Sequence, residues 1–549
     1  MTCAIGIDFG TESVRALVVE TATGATLATA VEPYAHGVID RELPASGVGL
    51  PPEWALQHPD DWLTSLERAT RAALAAAVVE PDRVAGIGID FTSCTILPTT
   101  PDGTPLCVAG ELAREPHAWP KLWKHHAAQG QADRITATAV ARGEAWLPRY
   151  GGRISSEWLL PKAWQMAEEA PGVYARAAHV LEGGDWVAWQ LTGVRARNAC
   201  AAGYKGLWHK QDGYPSRAFL GALDPALAGF YEEKASGPVV PPGARLGGLT
   251  EVWAGRLGLR PETPVGAPII DAHAAALGGG VASAGPLFLI MGTSTCHLLM
   301  APREALVPGI AGVVEDGIVP GLHAYEAGQA AVGDLLAWFV QHAVPPEFHE
   351  EARAAGRSVH DVLSARAARL VPGATGLIAL DWWNGNRCTL MNSELSGILL
   401  GATLGTRPEH VYRALVEATA FGTRVIAEAF DDATLTPTRL VAGGGLTRNP
   451  LVMQIYADVC GRPLEVAGTP QASALGAAML GAVAAGRAAG GHETLADAVA
   501  HMAPAPGALY RPLDAHRARY DELYACYREL YDHFGRESRI MQRLRALRT

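Results

Sequence analysis

The amino-acid sequence predicts an α/β protein built from two similar domains. Apolar, strand-like runs alternate with helical patterns along the chain, which is typical of that class. The succession of strand, Gly-Thr turn and strand occurs twice, around residues 10 and 292. A chain of 549 residues allows roughly two to four domains, so the recurrence indicates a duplicated domain and not a solenoid of roughly 20–50-residue repeats. We expect domains over residues 1–280 and 281–549.

The first domain should begin as a meander of three strands. Residues 4–9, 14–19 and 25–31 are mostly apolar and are separated by short turns that contain glycine. A helix should begin at Pro59, because proline followed by two aspartates favours a helix N-terminus. Residues 84–91 form a nearly continuous apolar run, which predicts a buried strand.

The middle and the second domain follow the same alternation. The tryptophan-rich stretch over residues 119–253 is expected to be more helical. Further strands are expected at residues 265–270, 287–291, 296–300 and 439–442. Further helices are expected near residues 409–421, after Asn449-Pro450, and along a C-terminal tyrosine stripe that should pack on the domain and end at Gly535.

Composition excludes several classes of function. The formal net charge is −11, which argues against nucleic acid or an anionic membrane as the main partner. The uncharged segment 466–486 is mostly Ala and Gly and contains Pro470, so we expect a loop and a tightly packed buried helix rather than a membrane span. None of the 8 cysteines forms a CxxC pair, and the N-terminus lacks signal-peptide features; both favour a cytoplasmic protein.

The first candidate site is the turn after the first strand. No Gly-Lys dipeptide is present, so the sequence has no P-loop. Backbone N–H groups of a tight turn at Gly10, with the hydroxyls of Thr11 and Ser13, suit phosphate oxygens. Asp8 at the strand end could hold a hydrated Mg²⁺ beside them. The alternative is an ordinary β-turn.

The second candidate is the turn formed by Gly292, Thr293 and Ser294. It offers the same donors without the acid, and alone it could also be an ordinary turn. Two such turns, each between strands and each opening a domain, could grip one polyphosphate from both sides of a cleft.

Two further positions bear chemistry. Asp271 follows an apolar strand, where its carboxylate could accept a proton from an attacking hydroxyl or could cap the following helix. The glycines at 443–445 permit close approach of a flat ligand such as adenine, although a flexible turn would need the same residues.

These motifs, in this order, resemble the superfamily of sugar kinases, heat-shock chaperones and actin. DFGTES begins at Asp8, GTST at Gly292 and GGGLTRNP at Gly443. DAHAA at Asp271, together with SELSGI and EHVYRALVEA after Asn392, narrows the resemblance to the FGGY carbohydrate kinases. The segments DFTSCT (90–95) and DWWNGNR (381–387) are similar to those of members that act on L-ribulose.

The resemblance implies a fold and an activity. It implies two ribonuclease-H-like domains of the actin-like ATPase type with a cleft between them. It also implies transfer of the γ-phosphate of ATP, with Mg²⁺, to the 5-hydroxyl of L-ribulose, giving L-ribulose 5-phosphate in L-arabinose catabolism. Such kinases often form homodimers.

The resemblance also implies roles for individual residues. Asp271 would be the catalytic base, and Asp8 would lie with it at the metal. The phosphates would be lined by Thr11, Ser13, Gly292, Thr293 and Ser294, the adenosine by Gly444, Gly445 and Asn449, and the sugar by Ser93, Lys205, Asp271 and Glu326. His273 and His297 lie near these motifs, and we expect neither to be catalytic.

Alternatives remain open at this point. A surface position for Lys205 and a solvated loop position for Glu326 would leave both without function. The substrate could be another pentulose or a pentitol, such as D-ribulose, L-xylulose or ribitol. A protein of a different class, a nucleotide-switched scaffold of the actin or chaperone type, would explain the phosphate turns equally well.

Overall fold

The first half of the chain is a twisted sheet with helices and a helical insertion. The computed structural model describes residues 1–44, 46–108 and 110–547. The strands are β1 (Cys3–Phe9), β2 (Ser13–Glu20), β3 (Thr26–Pro33), β4 (Val84–Phe91), β5 (Ile96–Thr99), β6 (His179–Glu182), β7 (Arg197–Asn198), β8 (Val239–Val240), β9 (Arg245–Gly248), β10 (Pro264–Gly266) and β11 (Ile269–Ile270). The helices are α1 (Pro59–Ala77), α2 (Gln129–Arg142), α3 (Leu159–Glu169), α4 (Pro171–Arg176), α5 (Gly183–Thr192), α6 (Ala199–Gly206), α7 (Arg217–Leu223), α8 (Phe230–Glu233), α9 (Glu251–Leu257) and α10 (Asp271–Gly278).

The second half repeats this plan of a sheet with flanking helices. Its strands are β12 (Leu287–Met291), β13 (Thr295–Ala301), β14 (Gly312–Glu315), β15 (His323–Gln329), β16 (Ile378–Leu380), β17 (Ile398–Leu400), β18 (Leu440–Gly443), β19 (Leu464–Val466) and β20 (Leu509–Tyr510). Its helices are α11 (Gly333–Ala343), α12 (Pro346–Ala354), α13 (Val359–Ala367), α14 (Pro408–Asp432), α15 (Pro450–Cys460), α16 (Ala472–Ala485), α17 (Leu495–Met502), α18 (Asp514–Asp532) and α19 (Ile540–Ala546).

The two main sheets share a topology. Each has seven strands, in the order β3-β2-β1-β4-β10-β9 with β11 also on β4, and β14-β15-β13-β12-β18-β19-β20. In each sheet the first strand of the Gly-Thr hairpin pairs antiparallel with the second and parallel with a strand that arrives later, β4 or β18. The predicted α/β class and internal repeat are therefore confirmed.

Some predicted elements differ in their bounds. The single strand expected over residues 265–270 is two short strands, separated at Ala267 and Pro268, because proline cannot donate a hydrogen bond to the sheet. Helix α14 continues well beyond the expected end at residue 421 and stops at Asp432. Helix α18 also ends at Asp532, before Gly535, and Tyr520 and Tyr527 on its stripe are buried, as expected of packing on the domain.

Helix α16 belongs to the second half in sequence but packs on the sheet of the first. A Cβ atom at Gly88 on β4 would lie 1.8 Å from the carbonyl oxygen of Ala477, and one at Gly6 on β1 would lie 1.9 Å from that of Ala474. The helix therefore lies directly on the sheet backbone, which requires small residues on both surfaces. The prediction of a buried helix here is confirmed. Within the described residues, we find no helix whose length and apolarity would suffice to span a membrane.

Candidate active site

Each Gly-Thr turn closes a hairpin at the end of a central strand. In the first, the Gly10 N–H donates to the Ser13 carbonyl at 2.9 Å, and in the second the Gly292 N–H donates to the Ser294 carbonyl at 2.9 Å. The Gly333 N–H, at the start of α11, donates to the Gly292 carbonyl at 3.1 Å and fixes the second turn. Both turns are therefore preformed by backbone hydrogen bonds.

The first turn is also held from outside. The indole Nε1 of Trp123 donates to Thr11 Oγ1 at 3.0 Å, and the Gln57 amide donates to the Thr11 carbonyl at 2.8 Å. Thr11 is thus anchored through both its side chain and its backbone, although only half-buried.

Three carboxyl groups lie at neighbouring strand ends in the first sheet. Asp8 on β1 is opposite Asp90 on β4, and Asp271 directly follows β11, which pairs with β4 at Asp90. Arg15 Nη1 lies 3.2 Å from Asp8 Oδ2. Burial raises the pKa of Asp8, and burial together with the charge of Asp8 holds the pKa of Asp90 well above its ordinary value. This edge of the sheet therefore concentrates carboxyl groups that cannot all be ionised without a nearby positive charge.

Asp90 is a residue that our sequence reasoning did not select. Its side chain is fully buried, no N–H or hydroxyl group of the described residues donates to its oxygens, and a hydrogen bond with Asp8 requires a proton on one of the two carboxyls. A signal was present, because the tetrapeptide Gly-Ile-Asp-Phe occurs at both residues 6–9 and 88–91. The repeated tetrapeptides are direct neighbours in the parallel pair of β1 and β4.

Asp271 is the first residue of α10. Its Oδ1 accepts a hydrogen bond from the N–H of Ala272 at 2.7 Å. The N-cap position is Ile270, so the alternative in which Asp271 is the N-cap is wrong. Burial, followed by the charge of Asp8, raises the pKa of Asp271 to about 7. The carboxylate is thus placed at the sheet edge with part of its hydrogen-bonding capacity unused.

One cavity lies between the two halves. Its volume is about 280 Å³, close to the lower end of the roughly 300–1,000 Å³ typical of small-molecule sites. It is lined by Thr92, Ser93, Trp123, Glu157, Lys205, Ile270, Asp271, Ala272, His273, Ile290, Gly292, Thr293, Ser294, Cys296, Glu326, Arg387 and Ser473. The cavity brings together all four positions expected at the sugar and the whole second phosphate turn.

An ion pair crosses the cavity from one half to the other. Lys205 Nζ, on α6, lies 2.7 Å and 2.8 Å from the two carboxylate oxygens of Glu326, on β15. Both side chains are largely buried, so neither alternative of a surface position holds. Burial alone would raise the pKa of Glu326, but the charge and hydrogen bonds of Lys205, together with the nearby His273 and Arg387, outweigh it and the pKa lies below its ordinary value. Both groups are therefore charged at neutral pH.

Two charged residues that line the cavity, Arg387 and Glu157, were not predicted as site residues from the sequence. Arg387 Nη2 lies 3.4 Å from Glu157 Oε1, which makes a second, looser pair across the cavity. Arg387 stands in the DWWNGNR segment, which was itself a signal, whereas no pattern pointed to Glu157.

Several expected ligand contacts lie outside this cavity. Asp8, Thr11, Ser13, Gly444, Gly445 and Asn449 are absent from its lining. Gly444 adopts a positive φ of 97°, and a Cβ there would lie 2.5 Å from the Met291 carbonyl oxygen. The Asn449 side chain accepts from the N–H of Leu451 at 3.1 Å and so caps α15, while its Nδ2 donates to Ser364. The contacts of Gly444, Gly445 and Asn449 with adenosine stay predictions, as do those of Asp8, Thr11 and Ser13 with the metal and the phosphates.

The two histidines near the motifs are both buried. His297 Nε2 lies 3.0 Å from Thr423 Oγ1, in the interior of the second half. His273 packs against the ring of Tyr204 at 4.5 Å, and its Nε2 lies 3.5 Å from Glu326 Oε2. Burial lowers the pKa of His273 to about 4, so the ring is neutral at physiological pH.

Comparison with known proteins identifies the family. Models of the FGGY family of carbohydrate kinases match residues 3–278 with the N-terminal domain and residues 287–485 with the C-terminal domain. The boundary predicted at residue 280 lies between these ranges and stays a prediction.

Relatives extend over nearly the whole chain. A ribulokinase of Bacillus licheniformis is 49% identical over 535 residues, covering 97% of each protein. A ribulokinase of Geobacillus thermodenitrificans is 51% identical over 543 residues, covering 98% of this chain and 96% of the relative. A crystal structure of xylulose kinase from Rhodospirillum rubrum aligns with a TM-score of 0.78 at 25% identity, covering 96% of this chain and 98% of that one. The expected actin-like fold of two domains is thereby confirmed, and the chain belongs to the FGGY family of carbohydrate kinases.

Proposed function

We propose that the protein transfers the γ-phosphate of ATP to the 5-hydroxyl of L-ribulose, giving L-ribulose 5-phosphate. The observation that carries the proposal is the cavity in which the Lys205–Glu326 pair, Asp271 and the second Gly-Thr turn meet. The two relatives at about half identity are named ribulokinases, which supports L-ribulose as the substrate.

The charged pair suits a polyhydroxylated ligand. A carboxylate accepts hydrogen bonds from sugar hydroxyls, and a lysine ammonium donates to hydroxyl or carbonyl oxygens. Since Lys205 and Glu326 come from opposite halves, a bound sugar would contact both halves at once. Ser93, half-buried at the cavity wall, offers a further hydroxyl or its backbone.

Asp271 is placed to act as the base. The sugar 5-hydroxyl attacks the γ-phosphorus of ATP, its proton passes to the Asp271 carboxylate, and the bond to the ADP oxygen breaks. Thr293 and Ser294 line the same cavity, and their N–H groups and hydroxyls would hold phosphate oxygens. Thr11 and Ser13 would hold them from the first half.

The carboxylates at the sheet edge fit a divalent cation. Besides burial, the charge of Asp8 raises the pKa of both Asp90 and Asp271, and no N–H or hydroxyl group of the described residues donates to the two Asp90 oxygens. Asp8 and Asp271 are the residues that would hold Mg²⁺, which needs few protein carboxylates. When bound, the ion would neutralise charge on the phosphates.

A coupled ADP-release assay tests the substrate. Turnover with L-ribulose would be compared with turnover on D-ribulose, L-xylulose, ribitol and D-xylulose, and without sugar. We expect the highest kcat/KM with L-ribulose. A better substrate among the others would replace L-ribulose, since a misplaced hydroxyl can be accommodated by a water in such a site.

The scaffold alternative is removed by membership of a kinase family. We further propose a homodimer, the assembly that the family resemblance implies. Light scattering of the purified protein would give the mass, and a value near 57.8 kDa would contradict this assembly.

A further inference from the structure

Lys162, on α3, is a completely buried lysine outside the cavity lining. Its side chain is 0% exposed, and its Nζ donates to two backbone carbonyls, those of Cys94 and Leu122, each at 2.8 Å. Within the described residues it has no carboxylate at salt-bridge distance. Burying an ammonium group without a paired anion is costly, and here that cost is offset by the hydrogen bonds to these two carbonyls.

Both carbonyls belong to segments that form the candidate site. Cys94 directly follows Ser93 at the cavity wall and adopts a left-handed backbone conformation, with φ of 59°. Leu122 directly precedes Trp123, which lines the same cavity. Lys162 therefore fixes two walls of the cavity relative to each other.

Trp123 extends this connection to the nucleotide side. Its indole donates to Thr11 Oγ1 in the first Gly-Thr turn at 3.0 Å. A continuous path thus runs from Ser93 and Cys94 through Lys162, Leu122 and Trp123 to Thr11.

We propose that Lys162 is a positioning residue that couples sugar binding at the 92–95 segment to the first phosphate turn. The inference rests on the proposed function, in which Ser93 contacts the sugar and Thr11 the phosphates. A sugar that orders the 92–95 segment stabilises the same arrangement of Trp123 that holds Thr11. Sugar and nucleotide should then bind cooperatively, and each should strengthen the binding of the other by the same factor.

The test measures the affinity of a non-hydrolysable ATP analogue with Mg²⁺ by calorimetry, with and without saturating L-ribulose. We expect the sugar to tighten binding several-fold in the wild type. In Lys162→Met the affinity for the ATP analogue without sugar should stay near the wild-type value. The gain, the factor by which L-ribulose tightens binding of the analogue, should fall to about one. A purely structural role would instead lower overall stability and leave the gain unchanged.

Lys121 provides the matched control. It is also buried, and its backbone pairs with Ile96 beside the 92–95 segment, but its Nζ donates to the carbonyl of His117 at 3.3 Å and to neither carbonyl that Lys162 holds. Lys121→Met should keep the wild-type gain. Loss of the gain in both lysine variants, or its retention in Lys162→Met, would overturn the proposal.

A second variant covers the case in which Lys162→Met does not fold. Trp123→Phe keeps a smaller aromatic ring in the wall and removes the indole N–H that reaches Thr11, so it should also lose the gain. The wild-type substrate panel tests the proposed function separately. If another pentulose proves the best substrate, that sugar is used in the same titration, and a wild type without any gain from it would refute the coupling alone.

Discussion

At the scale of single residues, the strongest prediction concerns the effect of replacing Asp271 on phosphate transfer. Replacing it by asparagine keeps the shape but removes the base, so phosphate transfer should fall roughly 10²-fold or more. Binding of the ATP analogue should persist, because the two Gly-Thr turns are held by their own backbone hydrogen bonds. Steady-state kinetics and calorimetry measure the two effects. Unchanged transfer would remove Asp271 from the role of base.

The Lys205–Glu326 pair predicts an asymmetry between single and double variants. Lys205→Met leaves the Glu326 carboxylate without its partner in a largely buried place, which should destabilise the fold by roughly 3 kcal/mol and raise the KM for sugar. Lys205→Met combined with Glu326→Leu should recover part of the stability but none of the sugar affinity. Denaturant unfolding and kinetics separate these outcomes, and equal stability of the single and double variants would contradict the prediction.

Titration of Lys121 should make the free energy of unfolding depend on pH. Burial lowers its pKa from 10.5 to about 7 in the folded protein. Between these two pH values the unfolded chain binds a proton that folded Lys121 does not, so the free energy of unfolding rises with pH in this window.

Lys121→Met removes that contribution. The wild type should therefore gain stability relative to the variant between pH 7 and about pH 10. Urea unfolding of both proteins at the two ends of the window measures this, and a constant difference would show that Lys121 titrates normally.

At the scale of elements, the contact of α16 with the first sheet predicts which glycines are essential. Gly88→Ala places a methyl group where the Ala477 carbonyl oxygen now lies, which should cost at least about 2 kcal/mol. Gly255→Ala is the matched control, because Gly255 is exposed within α9 and has open space around its Cβ position. That variant should be neutral or more stable by up to about 1 kcal/mol. Thermal unfolding compares the two, and similar losses in both would refute the close contact.

At the scale of the whole molecule, features that depend on local sequence patterns can be predicted better than contacts between distant parts of the chain. The two hairpins follow from apolar runs broken by Gly-Thr, and their repetition predicts two related sheets, because both signals lie within short stretches. The placement of α16 could not be predicted in this way. Its Ala-rich and Gly-rich sequence indicates close packing but does not identify the surface on which the helix packs. That surface belongs to strands that lie several hundred residues earlier in the chain.

The residues of the candidate site also divide into those that local motifs predict and those that only the fold reveals. Residues of recognisable motifs, such as Asp271 and Glu326, line the cavity as expected. Glu157, just before α3, and Lys162, on α3, belong to no motif. Their importance follows only from where the fold places them relative to the second half and to the 92–95 segment.

The position of α16 also bears on synthesis at the ribosome. The first 280 residues emerge before the helix that covers their sheet, and that helix follows after a further stretch of about 190 residues. At translation rates of about 5–20 residues per second, the glycine-containing face of the sheet stays bare for roughly 10–40 s. The nascent first half can therefore assemble the core that its own residues form on the other face of the sheet, but the face that packs on α16 is completed only when the second half is nearly finished.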